Sequence, residues 1–308
     1  MTYEDKISCS ANASHMGGSQ IWFKEGEQLS VDEALKAIAV VSANDVTVAM
    51  AEHIGGTEEN FVKMMNDKAQ ELGMENTHFM NSHGIDEENH YSCAKDIAIM
   101  SRELITKHPD ILKYTSIWMD SLRGGTFGLS STNKLIRFYE GATGLKTGST
   151  SQALFNLSGT ATRNGTTYIA VVMRAPSSDI RLQEIKQLLD YGFATYESKS
   201  ICDKGTVVES KSINKNVNES ANIIVKENVT ALLEKGSKIE SEQEITYNSD
   251  ISAPVKSGDV VGKIKILNNS DGSVIGESDL VIEKDIGKSS FTDYFKKIFK
   301  MYILADSI

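Results

Sequence analysis

The fold is decided by residues 157–173, which read LSGTATRNGTTYIAVVM. Two β-prone runs, Leu157 to Thr162 and Thr166 to Met173, flank the dipeptide Asn164-Gly165. Asn-Gly suits a two-residue hairpin turn, because both turn positions need a positive φ angle. The stretch therefore predicts a pair of antiparallel strands.

Helical patterns surround this hairpin on both sides. The string Ser30-x-x-Glu33 is a capping box, in which a hydroxyl and a carboxylate satisfy opposite backbone donors at a helix start. Apolar residues at helical spacing predict helices from about Glu58 to Leu72, Asp96 to Thr106 and Ser178 to Tyr196. Methionines in these apolar stripes are expected to pack in the core. Helices, then antiparallel strands, then a covering helix predict an α+β domain over residues 1–196.

The rest of the chain has a different sequence pattern. Residues 201–284 carry short β-prone runs between Gly, Asn, Asp and Ser turns, which predicts a small all-β domain. Residues 287–308 predict an amphipathic helix with an apolar face and lysines beside it. This pattern is typical of a helix in a membrane interface, and a helix docked on the β domain would show it too. The apolar face consists of Phe291, Tyr294, Phe295, Ile298, Phe299 and Tyr302, and the lysines are Lys296, Lys297 and Lys300.

The composition narrows the class of function. The 308 residues carry a net charge of -10, which disfavours nucleic-acid binding because a phosphate backbone requires a basic face. Cys9, Cys93 and Cys202 lie far apart, so neither a metal site nor a disulfide framework is expected, and no cofactor is implied. No apolar run approaches the ~20 residues that span a bilayer. Residues 1–10 are polar and acidic, unlike a signal peptide.

Two short motifs carry the candidate chemistry. They are Ser42-Ala43-Asn44 and Lys146-Thr147-Gly148. Each triplet by itself is weak, since a helix cap or a strand end would explain it. Their order is that of the second and third motifs of the active-site serine penicillin-recognising enzymes, which use Ser-x-x-Lys, then Ser-x-Asn, then Lys-Thr-Gly.

Flanking segments sharpen this resemblance. The chain resembles the low-molecular-weight penicillin-binding D-alanyl-D-alanine carboxypeptidases, of the penicillin-binding protein 5 and DacF type, over essentially its whole length. The resemblance implies a serine β-lactamase/transpeptidase-like catalytic domain before the small all-β domain and the C-terminal helix. The segments that carry it include Gly18-Ser19-Gln20-Ile21, Asn81-Ser82-His83-Gly84-Ile85, His90-Tyr91-Ser92-Cys93-Ala94, Thr132-Asn133-Lys134-Leu135 and Gly141-Ala142-Thr143-Gly144-Leu145.

The resemblance also implies roles for the matched catalytic residues. Ser42 would relay a proton to or from the leaving group, and Asn44 would hold the substrate amide. Lys146 would supply positive charge for the nucleophile network and for the terminal carboxylate of the substrate. The implied reaction removes the terminal D-alanine of peptidoglycan stem peptides through a serine acyl-enzyme, which water then hydrolyses.

The substrate-binding residues implied in the same way are Thr147, Gly148, Ser149, Thr150 and Arg181. The two threonine hydroxyls would bind the terminal carboxylate, with the arginine close by. The backbone N–H of Ser149 would form half of an oxyanion hole.

The chain departs from the family at the first motif. Its Ser-x-x-Lys strings are Ser92/Lys95, Ser131/Lys134 and Ser212/Lys215, which all follow Ser42 and are therefore in the wrong order. We expect the chain to be N-terminally truncated relative to the family, with an incomplete catalytic domain, no nucleophile and no activity as it stands. β-Lactam antibiotics would then react only where a nucleophile is present. A smaller departure is Leu154, at a place where the family usually has a small residue and a branched side chain would crowd the substrate.

Two other functions fit part of the sequence. A non-catalytic protein that binds the cell wall and the membrane would keep the groove and the helix without the serine. A serine β-lactamase shares the motifs, but the β domain and the amphipathic helix argue against that class. The resemblance implies peptidoglycan stem peptides and a membrane surface as partners, and the outer face of the bacterial cytoplasmic membrane as the location. The chain itself shows no signal peptide to take it there.

Overall fold

The computed structural model describes residues 2–217, 219–237, 240–248 and 251–305. The chain divides into two compact units, Met1–Ala194 and Thr195–Ile308. The first unit mixes helices and antiparallel strands, and the second is built of strands with one terminal helix. This arrangement confirms the predicted α+β fold class.

The first unit begins with helices and short strands and ends with a hairpin sheet and a long helix. In chain order its elements are β1 (Lys6–Ser8), α1 (Ala11–Ser14), β2 (Gln28–Ser30), α2 (Val31–Val41), α3 (Asn44–Gly55), α4 (Glu58–Glu71), α5 (Ala94–Lys107), α6 (Leu112–Thr115), β3 (Met119–Leu122), β4 (Phe127–Ser130), α7 (Leu135–Phe138), β5 (Ala142–Thr150), β6 (Leu154–Arg163), β7 (Thr166–Ala175) and α8 (Ser178–Thr195).

The sheet β5-β6-β7 lies between two helices. Asn164 and Gly165 turn β6 into β7 with φ angles of 51° and 76°, which confirms the predicted hairpin. Leu157 packs with α8 in one apolar cluster, while its neighbour Ser158 points to the opposite face and meets Ser101 of α5 at 2.7 Å between hydroxyls. This alternation is the period of a strand that is covered on both faces.

A second apolar core holds α2 and α3 together. The capping box at the start of α2 is formed as predicted: Glu33 N–H donates to Ser30 Oγ at 3.2 Å, and Ser30 N–H donates to Glu33 Oε2 at 2.9 Å. Val31, Ala34, Ala37 and Val40 follow at helical spacing and are buried. The small side chains let α3 pack closely on α2, so the link between the two helices is fixed in place.

The apolar stripe of α4 differs from the expectation. Met64 is 44% exposed and, within α4, Ala69 is the buried residue, so the stripe is not core. It lines an open apolar groove of about 310 Å³, and Phe79 and Met100 form other parts of the wall. Helical periodicity identifies an apolar face, but it does not say whether another element covers that face.

The second unit contains a five-stranded antiparallel sheet in the order β12-β13-β14-β10-β9 and a pair β11-β8. Its helix α9 keeps the predicted apolar face exposed at Phe295, Ile298 and Phe299. Among the described residues, no helix has both the length and the apolar character that crossing a membrane requires. Residues 306–308 of the predicted segment lie outside the described part. The elements are β8 (Tyr196–Cys202), β9 (Val207–Ser212), β10 (Ser220–Val225), β11 (Val229–Glu234), β12 (Ser241–Tyr247), β13 (Val260–Asn268), β14 (Val274–Ile282) and α9 (Phe291–Ala305).

Candidate active site

Ser42 stands in the two-residue link between α2 and α3. It ends α2 with a φ angle of 61°, in the left-handed region that L-residues with a side chain rarely adopt. Its side chain is half-buried, and its hydroxyl accepts a hydrogen bond from Lys146 Nζ at 2.7 Å. The structure therefore joins the two sequence motifs through a direct contact.

Asn44 begins α3 and is 8% exposed. Its side-chain amide donates to the Gly17 carbonyl at 2.9 Å, and its backbone N–H donates to the Ser19 carbonyl at 2.7 Å. Gly18, between them, has a φ of +79°, and a Cβ there would lie 2.8 Å from Asn44 Nδ2. The loop before the second motif thus holds the Asn44 amide only because residue 18 has no side chain.

Asp45 fixes the same loop and was missed by the sequence analysis. Its fully buried carboxylate accepts hydrogen bonds from the backbone N–H groups of Ile21, Phe23 and Val46, at 3.1, 2.9 and 2.9 Å. A carboxylate next to the Ser-x-Asn triplet was visible in the sequence, but its partners more than twenty positions earlier were not. Asp45 positions Asn44 without lining the cavity itself.

Lys146 lies on β5 and reaches the end of α2. Its ammonium donates to Ser42 Oγ at 2.7 Å and to the Thr147 carbonyl at 2.8 Å. No carboxylate among the described residues contributes to the shift in the pKa of Lys146. Burial, with the positive charge of Arg181 as a second cause, lowers the pKa of the Lys146 ammonium to about 8.

The threonines that follow Lys146 are already hydrogen-bonded. Thr147 is buried, and its hydroxyl lies 2.6 Å from the hydroxyl of Thr132. Thr150 accepts a hydrogen bond from Ala153 N–H at 2.9 Å. Its contact with Asp86 is also the largest cause that lowers the pKa of that carboxyl group. Both residues line the cavity, so a ligand that binds their hydroxyls has to replace these partners.

Arg181, on α8, is 8% exposed and lines the same cavity as Lys146. Its Nη1 donates to the Asn156 carbonyl at 3.2 Å, while its Nε is buried and has no hydrogen-bond partner among the described residues. Burial lowers the pKa of the guanidinium. A buried donor without a partner is costly, so this part of the guanidinium does not stabilise the fold.

One cavity of about 820 Å³ brings the predicted site residues together. Ser42, Asn44, Lys146, Arg181 and residues 147–150 all line it. The residues on its wall include no aspartate or glutamate, although the whole chain carries a net charge of -10. The cavity therefore has a local positive charge that suits a carboxylate.

The cavity wall also contains two histidines that the sequence analysis did not assign. His83 and His90 are half-buried and line the cavity. His83 Nε2 lies 3.8 Å from Glu58 Oε1, and burial lowers the pKa of both imidazoles. In the sequence, the segments that contain these histidines indicate the family resemblance but give neither imidazole a role. An apolar part of the cavity, formed by Met65, Phe79 and Met100, continues into the groove beside α4.

None of the Ser-x-x-Lys serines lines this cavity. The Ser92 hydroxyl lies 2.9 Å from that of Thr77, Ser131 Oγ accepts from Asn133 N–H at 3.2 Å, and Ser212 belongs to the second unit. Leu154, which has a φ of 53°, is not on the cavity wall either, so the expected crowding is not seen. Among the described residues, no group of three or more His, Cys, Asp or Glu side chains is placed to hold a metal ion.

Each of the two units of the chain matches a known family model. Residues 1–177 match the family model of D-alanyl-D-alanine carboxypeptidases, and residues 196–288 match that of the C-terminal domain of penicillin-binding protein 5. The chain belongs to the D-alanyl-D-alanine carboxypeptidase family. This confirms the resemblance inferred from the motifs and places the cavity in the unit that carries the carboxypeptidase match.

Individual members of the D-alanyl-D-alanine carboxypeptidase family agree with this assignment. The chain is 39% identical over 297 residues to the carboxypeptidase DacF of Bacillus subtilis, which covers 95% of this chain and 76% of that protein. It resembles the crystal structure of penicillin-binding protein 5 from Haemophilus influenzae with a TM-score of 0.68 and 30% identity, over 93% and 84% of the two chains. It also resembles the ampicillin-bound form of penicillin-binding protein D2 from Listeria monocytogenes, with a TM-score of 0.56 and 30% identity. The match covers 62% of this chain and 78% of that chain. By family, the chain is a cell-wall hydrolase.

Proposed function

We propose that the cavity binds the D-Ala-D-Ala end of peptidoglycan stem peptides, as the substrate site of a serine-type carboxypeptidase. The observation that carries this proposal is the pair Lys146 and Arg181 on a wall that has no carboxylate of its own. A carboxypeptidase must recognise a free terminal carboxylate, and a guanidinium on the cavity wall is a strong donor for one.

The other residues of the wall take roles around that carboxylate. The Thr147 and Thr150 hydroxyls turn from Thr132 and Asp86 towards the ligand. Asn44, held by the Gly17 carbonyl, presents its remaining amide atoms to the peptide bond. The exposed edge at Gly148 and Ser149 offers the Ser149 N–H to the carbonyl oxygen of the scissile bond, where negative charge develops in acyl transfer.

In the reaction of the family Ser42 would relay a proton, because its hydroxyl is within hydrogen-bond distance of Lys146. The family's Ser-x-x-Lys nucleophile has no counterpart on the cavity wall. The serines of the three strings, Ser92, Ser131 and Ser212, do not line it. This chain therefore binds the stem peptide but does not release D-alanine, and penicillin leaves these three serines unmodified.

The proposed place of action is the outer face of the bacterial cytoplasmic membrane. Helix α9 supports this proposal, because Phe295, Ile298 and Phe299 are exposed together on one face of the helix. Lysines flank this face and would pair with anionic lipid headgroups. We propose that the helix lies on the membrane surface with this face towards the lipid.

The test is a titration of the chain with an N-acylated peptide that ends in D-Ala-D-Ala, together with an assay of D-alanine release. We expect saturable binding that is lost with the peptide ending in L-Ala-L-Ala, and no D-alanine release. Release of D-alanine would contradict the proposal that the cavity contains no nucleophile for this reaction. Equal affinity for the two peptides would contradict the proposal that the cavity is the substrate site.

A further inference from the structure

The hydroxyl of Ser42 is held in an unusual backbone conformation. Its φ of 61° is strained for a residue with a side chain, and most helices that end this way use glycine. Such conformations persist where the surroundings enforce them, and they cluster at functional sites. Here the surroundings are the packed helices α2 and α3, and the hydroxyl they hold accepts a hydrogen bond from Lys146 on β5.

The amine of Lys146 has the geometry of a general base for this hydroxyl. Nζ lies 2.7 Å from Ser42 Oγ, within the range for direct proton transfer, and a second hydrogen bond to the Thr147 carbonyl fixes its direction. When the ammonium loses a proton, its lone pair can accept the Ser42 O–H. The pKa of about 8 means that a sizeable fraction of the amine is neutral in mildly alkaline solution.

The charged groups that line the cavity around this pair have one sign. The carboxylates of Glu58 and Asp86 do not line it, but they contact His83 and Thr150, which do. Arg181 and Lys134 line the same cavity, as do the imidazoles of His83 and His90, and no aspartate or glutamate does. Positive charge stabilises both a serine alkoxide and the oxyanion that forms when a carbonyl is attacked. The cavity of about 820 Å³ leaves room for a small acyl donor beside Ser42.

We propose that Ser42 and Lys146 form a nucleophile–base pair that accepts an acyl group from activated carbonyl compounds, with aryl esters as the substrate class. Lys146 Nζ takes the proton from Ser42 Oγ, and Oγ forms a bond to the ester carbonyl carbon. The bond from that carbon to the aryl oxygen breaks, and the phenolate leaves without needing a proton. Ser42 is left as an ester, and Lys146 returns its proton to solvent.

This activity uses the cavity of the proposed function but does not depend on recognition of D-Ala-D-Ala. It also differs from turnover of a peptide, because an amide nitrogen must be protonated to leave whereas a phenolate need not be. Binding of the peptide and acylation by an aryl ester can therefore succeed or fail separately.

The experiment uses the full chain and p-nitrophenyl acetate. We expect release of p-nitrophenolate, a mass increase of one acetyl group, and an ester that hydroxylamine removes and that peptide mapping places on Ser42. The rate of acylation should rise with pH with a midpoint near the Lys146 pKa of about 8. Ser42→Ala and Lys146→Met should each lower the rate about a hundredfold.

Ser92→Ala is the matched control, because Ser92 belongs to a Ser-x-x-Lys string but does not line the cavity, and it should acylate at the wild-type rate. Folding of each variant is checked by urea denaturation. Acetylation of the Lys146 amine, an adduct on another serine, an unchanged rate in Ser42→Ala, or no adduct on the folded chain would each overturn the proposal.

Discussion

The carboxylate of Asp45 binds the backbone N–H of Phe23 at 2.9 Å, across twenty-two positions of sequence. The same carboxylate binds the N–H groups of Ile21 and Val46. Asp45 therefore ties the loop before the second motif to the first turn of α3, where Asn44 stands. The negative charge is also near a helix N-terminus, which stabilises it.

Replacing Asp45 by asparagine should destabilise the first unit. The side-chain amide group would face backbone N–H donors that now bind a carboxylate oxygen, so buried donors would lose partners. We expect the free energy of unfolding to fall by about 1–3 kcal/mol. Urea denaturation followed by tryptophan fluorescence measures this unit, because Trp22 and Trp118 both lie in it.

The control for that measurement is Asp67→Asn on the surface of α4. Asp67 is 61% exposed and pairs with Lys63 four residues earlier. Its loss should change the free energy of unfolding by no more than about 0.5 kcal/mol. Equal losses in the two variants would show that Asp45 does not hold the loop.

A second prediction concerns the glycine beside Asn44. Gly18 and Gly26 have nearly the same φ, 79° and 77°, but a Cβ on Gly18 would lie 2.8 Å from Asn44 Nδ2, while one on Gly26 would contact nothing within 4 Å. The free energy of unfolding should fall by about 1–2 kcal/mol in both alanine variants because of the backbone strain. Only Gly18→Ala should also weaken binding of the D-Ala-D-Ala peptide, because it displaces the Asn44 amide. Titration of both variants with the peptide distinguishes the two effects, and an equal affinity would contradict the role of Asn44.

Local signals in the sequence were sufficient for much of the fold. The Asn164-Gly165 turn and the Ser30–Glu33 capping box form from residues a few positions apart, so they could be predicted. Met64 could not be placed, because periodicity does not reveal what covers an apolar face. The contact between Ser42 and Lys146 spans 104 positions, and only the resemblance of the motifs to a family suggested it.

Lys146 should reduce the stability of the fold that holds it. Burial lowers its pKa, so below pH 8 folding removes a charged ammonium from water without giving it a carboxylate partner. Lys146→Met should raise the free energy of unfolding at pH 7 by about 1–2 kcal/mol, because it removes a buried charge. As pH rises from about 8 towards 10.5, the folded state loses the proton before the unfolded state does. The advantage of the variant should shrink over that range.

Urea denaturation at pH 7 and at pH 10 checks this prediction. The control is Lys134→Met, whose side chain is 52% exposed and lies 3.8 Å from Asp179, and which should leave the stability nearly unchanged. A loss of stability in Lys146→Met at pH 7 would mean that the two hydrogen bonds of the ammonium outweigh its desolvation.

Helix α9 should bind lipid vesicles through its apolar face. Phe295 and Phe299 are 60% and 57% exposed, and their rings stack with centroids 6.3 Å apart. Replacing both by glutamate removes apolar area and adds negative charge, so co-sedimentation with vesicles that contain anionic lipid should be lost. Thr292→Glu, an exposed position of the same helix, is the control for charge and should retain most of the binding. Equal sedimentation of the double variant and the wild type would contradict the membrane role.

The measurement that tests the substrate site most directly compares two peptides that differ only at the terminal carboxylate. One is the N-acylated D-Ala-D-Ala peptide as the free acid, and the other is its C-terminal amide. If Lys146 and Arg181 bind the carboxylate, the free acid should bind at least ~10-fold more tightly to the wild type. Arg181→Met should abolish that preference, while Arg137→Met, at an exposed position, should keep it. Equal affinities of the wild-type chain for the acid and the amide would contradict the account.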